Sequence, residues 1–159
     1  MKHPFKIGLS FGLTSAIITT LGLMVGLNSG THSKLVVVGG ILTIAIADAF
    51  SDALGIHISE ESENKYSQKD IWKATFSTFF CKFVFALLFI IPILIVNLDS
   101  AVLINIILGL TLLSILSYFI GRKEKTKTWK VITEHLTIAM VVIIITHFIG
   151  EWISTVFTV

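Results

Sequence analysis

The segment IAIADAFSDALGIHISEESE, residues 44–63, opens inside an apolar run long enough to cross a bilayer and ends among three carboxylates, Glu60, Glu61 and Glu63. Two aspartates, Asp48 and Asp52, interrupt the run. An ionised aspartate near the centre of a lipid-facing helix costs roughly 2.5–3.5 kcal/mol on insertion scales, so a membrane helix carrying two needs something for them to line or bind. Spaced i and i+4, they fall about 40° apart on one helical face. Gly55 and Ser59 continue that stripe.

The rest of the chain has a composition to match. Of 159 residues, 54% are hydrophobic and 14% charged, with a mean hydropathy of +0.90. A soluble domain carries about 25% charged residues. The expected fold is therefore all-α, a single integral membrane domain over 1–159 with five transmembrane helices at 7–27, 35–58, 74–96, 101–121 and 131–159. Each run has about 20 residues or more, enough at 1.5 Å per residue for a core of about 30 Å. Short polar separators lie between most of them, and Pro92 predicts a kink in the third. The first run follows Lys2 and Lys6 but lacks a small-x-small cleavage site, which predicts a retained span. One cysteine, Cys81, excludes an intrachain disulfide and a Cys-rich metal site.

The net charge of +2 matters less than where the charges fall. With the N-terminus cytoplasmic, eleven of the 12 Lys and Arg residues lie on that side, and only Lys34 on the other. This bias predicts N-terminus in and C-terminus out, a multi-pass protein of the cell membrane if the source is prokaryotic. The basic stretch 122–130 follows from that topology, with anionic-lipid contact in addition. Nine residues between two spans do not make a nucleic-acid site. No phosphate-binding glycine loop, H-E-x-x-H, G-x-S-x-G or Cys-x-x-Cys is present, so no enzyme is expected.

In the first span Gly8, Gly12, Ser15, Thr19, Gly22 and Gly26 form one stripe of small residues that lets another helix approach closely. It reads as packing within the protomer or as the seam of a homodimer, which would supply the paired halves that transporters often need.

For chemistry, the second span has its middle near Ile46 and the fifth near Ile145. His147 is thus expected level with Asp48, with Glu151 one turn further out on the same face. Glu60, Glu61, Glu63, Asp52, Asp48, His147 and Glu151 would form a ladder of metal ligands across the membrane. Carboxylates with one imidazole suit Fe²⁺ or Mn²⁺. The plainer readings are hydrogen bonds from the aspartates to neighbouring Ser or Thr, a His147–Glu151 pair that fixes packing, and a solvated helix end at the three glutamates. His57, on the opposite face from Asp48, reads as structural, and Met24 and Met140 as packing. Cys81 reads as a small buried residue and Lys82 as a lysine snorkelling to the headgroups at the inner end of the third span. Glu134 and His135 read as a gate or as polar trim.

ADAFSDALGIHIS at 47–59, with the glutamates after it, resembles the second-helix signature of the vacuolar iron transporter family. GLTSAIITTLGLMVGL at 12–27 resembles that family's first helix, and Pro92, Gly121-Arg122 and THFIG at 146–150 fit the remaining three. The chain would be a short, prokaryotic-type member with a truncated cytosolic metal-binding extension, about 14 residues at 59–72. Only Ser51, Gly55 and Ser59 carry over directly. Phe11-Gly12 stands where the family has Asp-Gly, Asp52 stands at its methionine, and Ile56 at the acidic residue after the glycine. The resemblance implies a dimeric exporter of Fe²⁺, and of Mn²⁺, in exchange for protons, with no permanently bound cofactor.

The expected function is proton-coupled export of a divalent metal ion, with Asp48 and Asp52 binding the ion when ionised and releasing it when protonated. The alternatives are a proton- or sodium-coupled carrier of a small solute and a non-transporting assembly module. The partners expected are the ion, protons, the lipid bilayer and a second copy of the chain.

Overall fold

A computed structural model describes residues 3–123 and 127–157; Lys2 and Lys125, both counted in the charge bias, lie outside these residues. The described residues are almost all helical, with no strand: α1 (His3–Thr31), α2 (Lys34–Ser62), α3 (Gln68–Leu88), α4 (Ile90–Ile95), α5 (Leu98–Lys123) and α6 (Thr128–Val156). Helices α3 and α4 are two parts of one span, so five helical segments are long and apolar enough to cross a membrane. The chain is built as a multi-pass membrane protein.

The break between α3 and α4 falls at Phe89, three residues before Pro92. Proline removes its own N–H and crowds the carbonyl four residues back, which interrupts the ladder there. Asn105, fully buried on α5, donates from Nδ2 to the Phe89 carbonyl at 2.8 Å, tying α5 to the break.

Helix α1 is the axis of the bundle and packs on α2, α3, α5 and α6. Its glycines show how. A methyl group on Gly12 would come 2.8 Å from the Thr78 carbonyl oxygen, and one on Gly8 would collide with Ala74 and Ser77. One on Gly22 would sit 2.7 Å from Val142, one on Gly26 3.3 Å from the Thr146 carbonyl, and Gly150 packs against Gly26 and Gly30. The small stripe is thus filled within the chain, by α3 at its first half and by α6 at its second. This corrects the reading of the stripe as a homodimer seam. Residue numbers rise together in these contacts, so α1 runs parallel to both α3 and α6, as first, third and fifth spans must.

The first four spans run longer than the apolar runs suggest, and the third starts furthest ahead of its run. Ser67 caps α3, its Oγ accepting from the Asp70 N–H at 3.3 Å, so the span starts at Gln68 rather than 74. The polar first turns hide this start in the sequence. The middle of Gln68–Ile95 consequently falls at Cys81 and Lys82. Outside the spans, Asn64 takes a left-handed conformation (φ 52°) that turns the chain from α2 into α3. Beside it Glu63 accepts a hydrogen bond from Lys65 at 3.1 Å and, by that bond and its charge, raises the lysine's pKa.

Candidate exchange centre

Midway along the bundle, three helices bring four polar side chains to one point. Asp48 is the middle residue of the 29-residue α2 and Asp52 lies one turn on. Alanines at 45, 49 and 53 on the buried stripe of α2 keep the helix close to its neighbours, and the aspartates lie beside that stripe. Lys82 reaches them from α3. Its ammonium donates to Asp52 Oδ2 and, at 2.7 Å, to Ser15 Oγ of α1, and it forms an ion pair with Asp48 Oδ2 at 2.6 Å. The Ser15 hydroxyl in turn donates to Asp52 Oδ2 at 2.6 Å. Three oxygens from two helices thus surround the ammonium.

Lys82 is 1% exposed, the largest fully buried side chain among the described residues. It does not snorkel. Mid-span, its stem is too short to reach either surface, and two carboxylates hold it in place. The partner carboxylates are less enclosed, Asp48 at 30% and Asp52 at 18% side-chain exposure. Two anionic groups face one cation, so with all three ionised the centre carries a net charge of −1. A buried ion pair tolerates desolvation only where charges and hydrogen bonds balance, and an unbalanced negative charge at this depth calls for one more cation or a proton.

The other expected ligands do not join this centre. His147 Nδ1 lies 2.6 Å from the Ser29 hydroxyl of α1, and its Nε2 lies 3.4 Å from Glu151 Oε1. Ser15 and Ser29 are 14 residues apart on one helix, about 21 Å. His147 is therefore not level with Asp48, and the predicted ladder is broken. The expected pairing of His147 with Glu151 does hold, with both side chains about half exposed.

At the other end the three glutamates separate. Glu61 accepts from Gln68 at 3.3 Å and Glu63 pairs with Lys65, both on the surface. Glu60 is 4% exposed, and its Oε2 has no hydrogen-bond partner. The solvated helix end is thus corrected for Glu60, which occupies the buried stripe of α2 after Ile56. Gly55 and Ser59, read as continuing the aspartate stripe, are exposed, and nothing lies within 4 Å of a methyl group placed on Gly55. Among the described residues no three His, Cys, Asp or Glu side chains gather into a group able to hold a metal ion.

Smaller expectations are settled as well. His57 hydrogen-bonds Thr75 at 2.9 Å and packs edge-on to Trp72, a structural role. Met24 is core and Met140 lies on the outer surface. Cys81 is half-buried, and His135 bonds Ser117 at 2.7 Å between α5 and α6 while Glu134 is exposed. Sequence reasoning missed Lys82 and Ser15. The capping signature Ser-Gln-Lys-Asp at 67–70 marks where the third span begins and would have placed Lys82 at its centre.

Compared with known proteins, the chain matches no family model and no curated protein.

Proposed function

We propose that the protein is a proton-coupled cation carrier, not an enzyme, whose exchange centre is Asp48, Asp52 and Lys82, with Ser15 positioning Asp52. The observation that carries this reading is the imbalance of charge: two carboxylates and one buried ammonium at mid-span. A proton on either aspartate neutralises the centre, and so does a bound monovalent cation. The two compete for the same oxygens, and that competition is the coupling. Proton loading from one side expels the cation, and cation loading from the other expels the proton. With the charge bias of the sequence as guide, the N-terminus is cytoplasmic, and in a prokaryotic source the membrane is the cell membrane.

A divalent ion such as Fe²⁺ or Mn²⁺ is the second reading, favoured by the three hard oxygens of Asp48, Asp52 and Ser15 converging on the Lys82 ammonium. Such an ion has to take the ammonium's place. Neutrality then requires Lys82 to lose its proton too, so a divalent cargo exchanges for two protons and a monovalent one for a single proton. A vacuolar iron transporter-like exporter falls under this second reading, and a homodimer is compatible with both.

Flux into proteoliposomes tests the proposal. An inward gradient of Na⁺, K⁺, Mn²⁺ or Fe²⁺ should drive protons out through the wild-type protein for at least one of these ions, and not through Asp48→Asn with Asp52→Asn. Equal proton movement in the double variant, with the variant folded, refutes the exchange centre.

A further inference from the structure

One buried acid takes no part in the exchange centre. Glu60 is 4% exposed, its Oε2 is sealed without a partner, and among the described residues it forms no hydrogen bond and no ion pair. The other described carboxylates that are not exposed, Asp48, Asp52 and Asp70, each have a cation or a hydroxyl beside them. The charged and titratable groups at this end of the bundle are engaged elsewhere. Glu61 accepts from Gln68, Glu63 pairs with Lys65, Lys73 pairs with Asp70 at 3.4 Å, and His57 bonds Thr75. Lys6 of α1, Lys69 of α3 and Tyr66 of the turn complete the set, and none of them is bonded to Glu60.

A carboxylate enclosed without a donor or a counter-ion gives up its charge by taking a proton. No larger ligand reaches the sealed oxygen, and a proton needs no room. The place of Glu60 suits traffic in protons. It ends the buried series Ala45, Ala49, Ala53 and Ile56 on α2, eight residues beyond Asp52. That is about 12 Å closer to the end that the charge bias makes cytoplasmic. Helix α2 stops two residues later, and the sequence neighbours Ser59 and Glu61 are exposed. Between the two acids the interior is not wholly apolar. Helix α3 runs antiparallel to α2, His57 meeting Thr75 and Asp52 meeting Lys82, so Thr78 stands at an intermediate depth. Its hydroxyl and that of Ser77 are buried there, each donating to the Ala74 carbonyl.

We infer that Glu60 is a proton station: it holds a proton as a neutral acid and passes it between the cytoplasm and Asp52 in each exchange cycle. The station's part in exchange rests on the carrier reading; the proton it holds does not.

Two measurements on the full chain test this. Infrared spectra at neutral pH should show the carbonyl band of a protonated carboxylic acid in Asp48→Asn with Asp52→Asn, and adding Glu60→Gln should abolish it. In proteoliposomes, whichever of Na⁺, K⁺, Mn²⁺ and Fe²⁺ drives proton flux through the wild type should drive it at least fivefold more slowly through Glu60→Gln and through Glu60→Leu. Cation affinity and the number of protons released per cation bound should stay the same in both variants, a split between rate and equilibrium that a merely structural role would not produce. An infrared band that Glu60→Gln leaves in place overturns the inference, as does wild-type flux in both Glu60 variants, or a loss of cation binding that accompanies the loss of flux. Failure of the carrier reading shows differently: no proton flux through the wild type, or flux that survives Asp48→Asn with Asp52→Asn, while the Glu60 band is present.

Discussion

Asp48 with Asp52 and His147 with Glu151 are the same device in sequence, two polar ligands one helical turn apart on an apolar span. The structure gives them opposite surroundings. The aspartates meet an ammonium brought from another helix and a hydroxyl from a third, on a lysine almost entirely buried. The His147–Glu151 pair stays on its own helix, half exposed, with one outside partner in Ser29. Spacing along a helix puts two groups on one face. What they do together depends on what the facing helix contributes at that depth.

The largest expected effect breaks the first of these regions. Lys82→Met leaves two carboxylates uncompensated at mid-span, and removing one partner of a buried pair costs about 3–5 kcal/mol. The variant should unfold at a correspondingly lower denaturant midpoint, and Lys82→Met combined with Asp48→Asn and Asp52→Asn should recover much of that loss. Stability of the single variant equal to wild type contradicts the buried triad. Next in size is Gly12→Leu, which drives a side chain into the Thr78 backbone where α1 meets α3. Overpacking of this kind costs about 1–3 kcal/mol, and the same change at Gly39, which has no neighbour within 4 Å, should cost far less. Smallest is the second region itself: Glu151→Gln should shift stability by no more than about 1 kcal/mol, as for exposed ion pairs. Comparing the Lys82 and Glu151 variants in one unfolding assay measures the contrast directly.

Transport sharpens the comparison in another way. If proton and cargo compete at the aspartates, the cargo concentration for half-maximal flux should rise as pH falls, and more steeply for two exchanged protons than for one. Glu151→Gln should keep that slope and Asp52→Asn should flatten it.

Much of this was legible in the sequence. Five spans follow from composition and run length, and the one-face placement of Asp48 and Asp52 follows from their spacing. The pairing of His147 with Glu151 follows the same rule. Depth was not legible, because apolarity marks a span's interior and not its ends. The polar start of α3, Gln68 to Asp70, masked about one and a half turns and moved Lys82 from the rim to the middle. Glu60 was hidden by company: Glu61 and Glu63 suggest a wet helix end, yet Glu60 continues the buried series Ala45, Ala49, Ala53 and Ile56. The glycine stripe was read correctly as a place of close approach. A stripe alone does not say which helix approaches, and here two do.

The central claim is that the centre holds one negative charge too many and fills the deficit with either a proton or a cation. The most direct test is proton release on binding, followed with a pH indicator in weakly buffered solution as the transported cation is added to purified protein. The account predicts about one proton released per monovalent ion bound, or two per divalent ion, and none from the Asp48→Asn, Asp52→Asn variant. Saturable cation binding that releases no proton from the wild-type protein would contradict it.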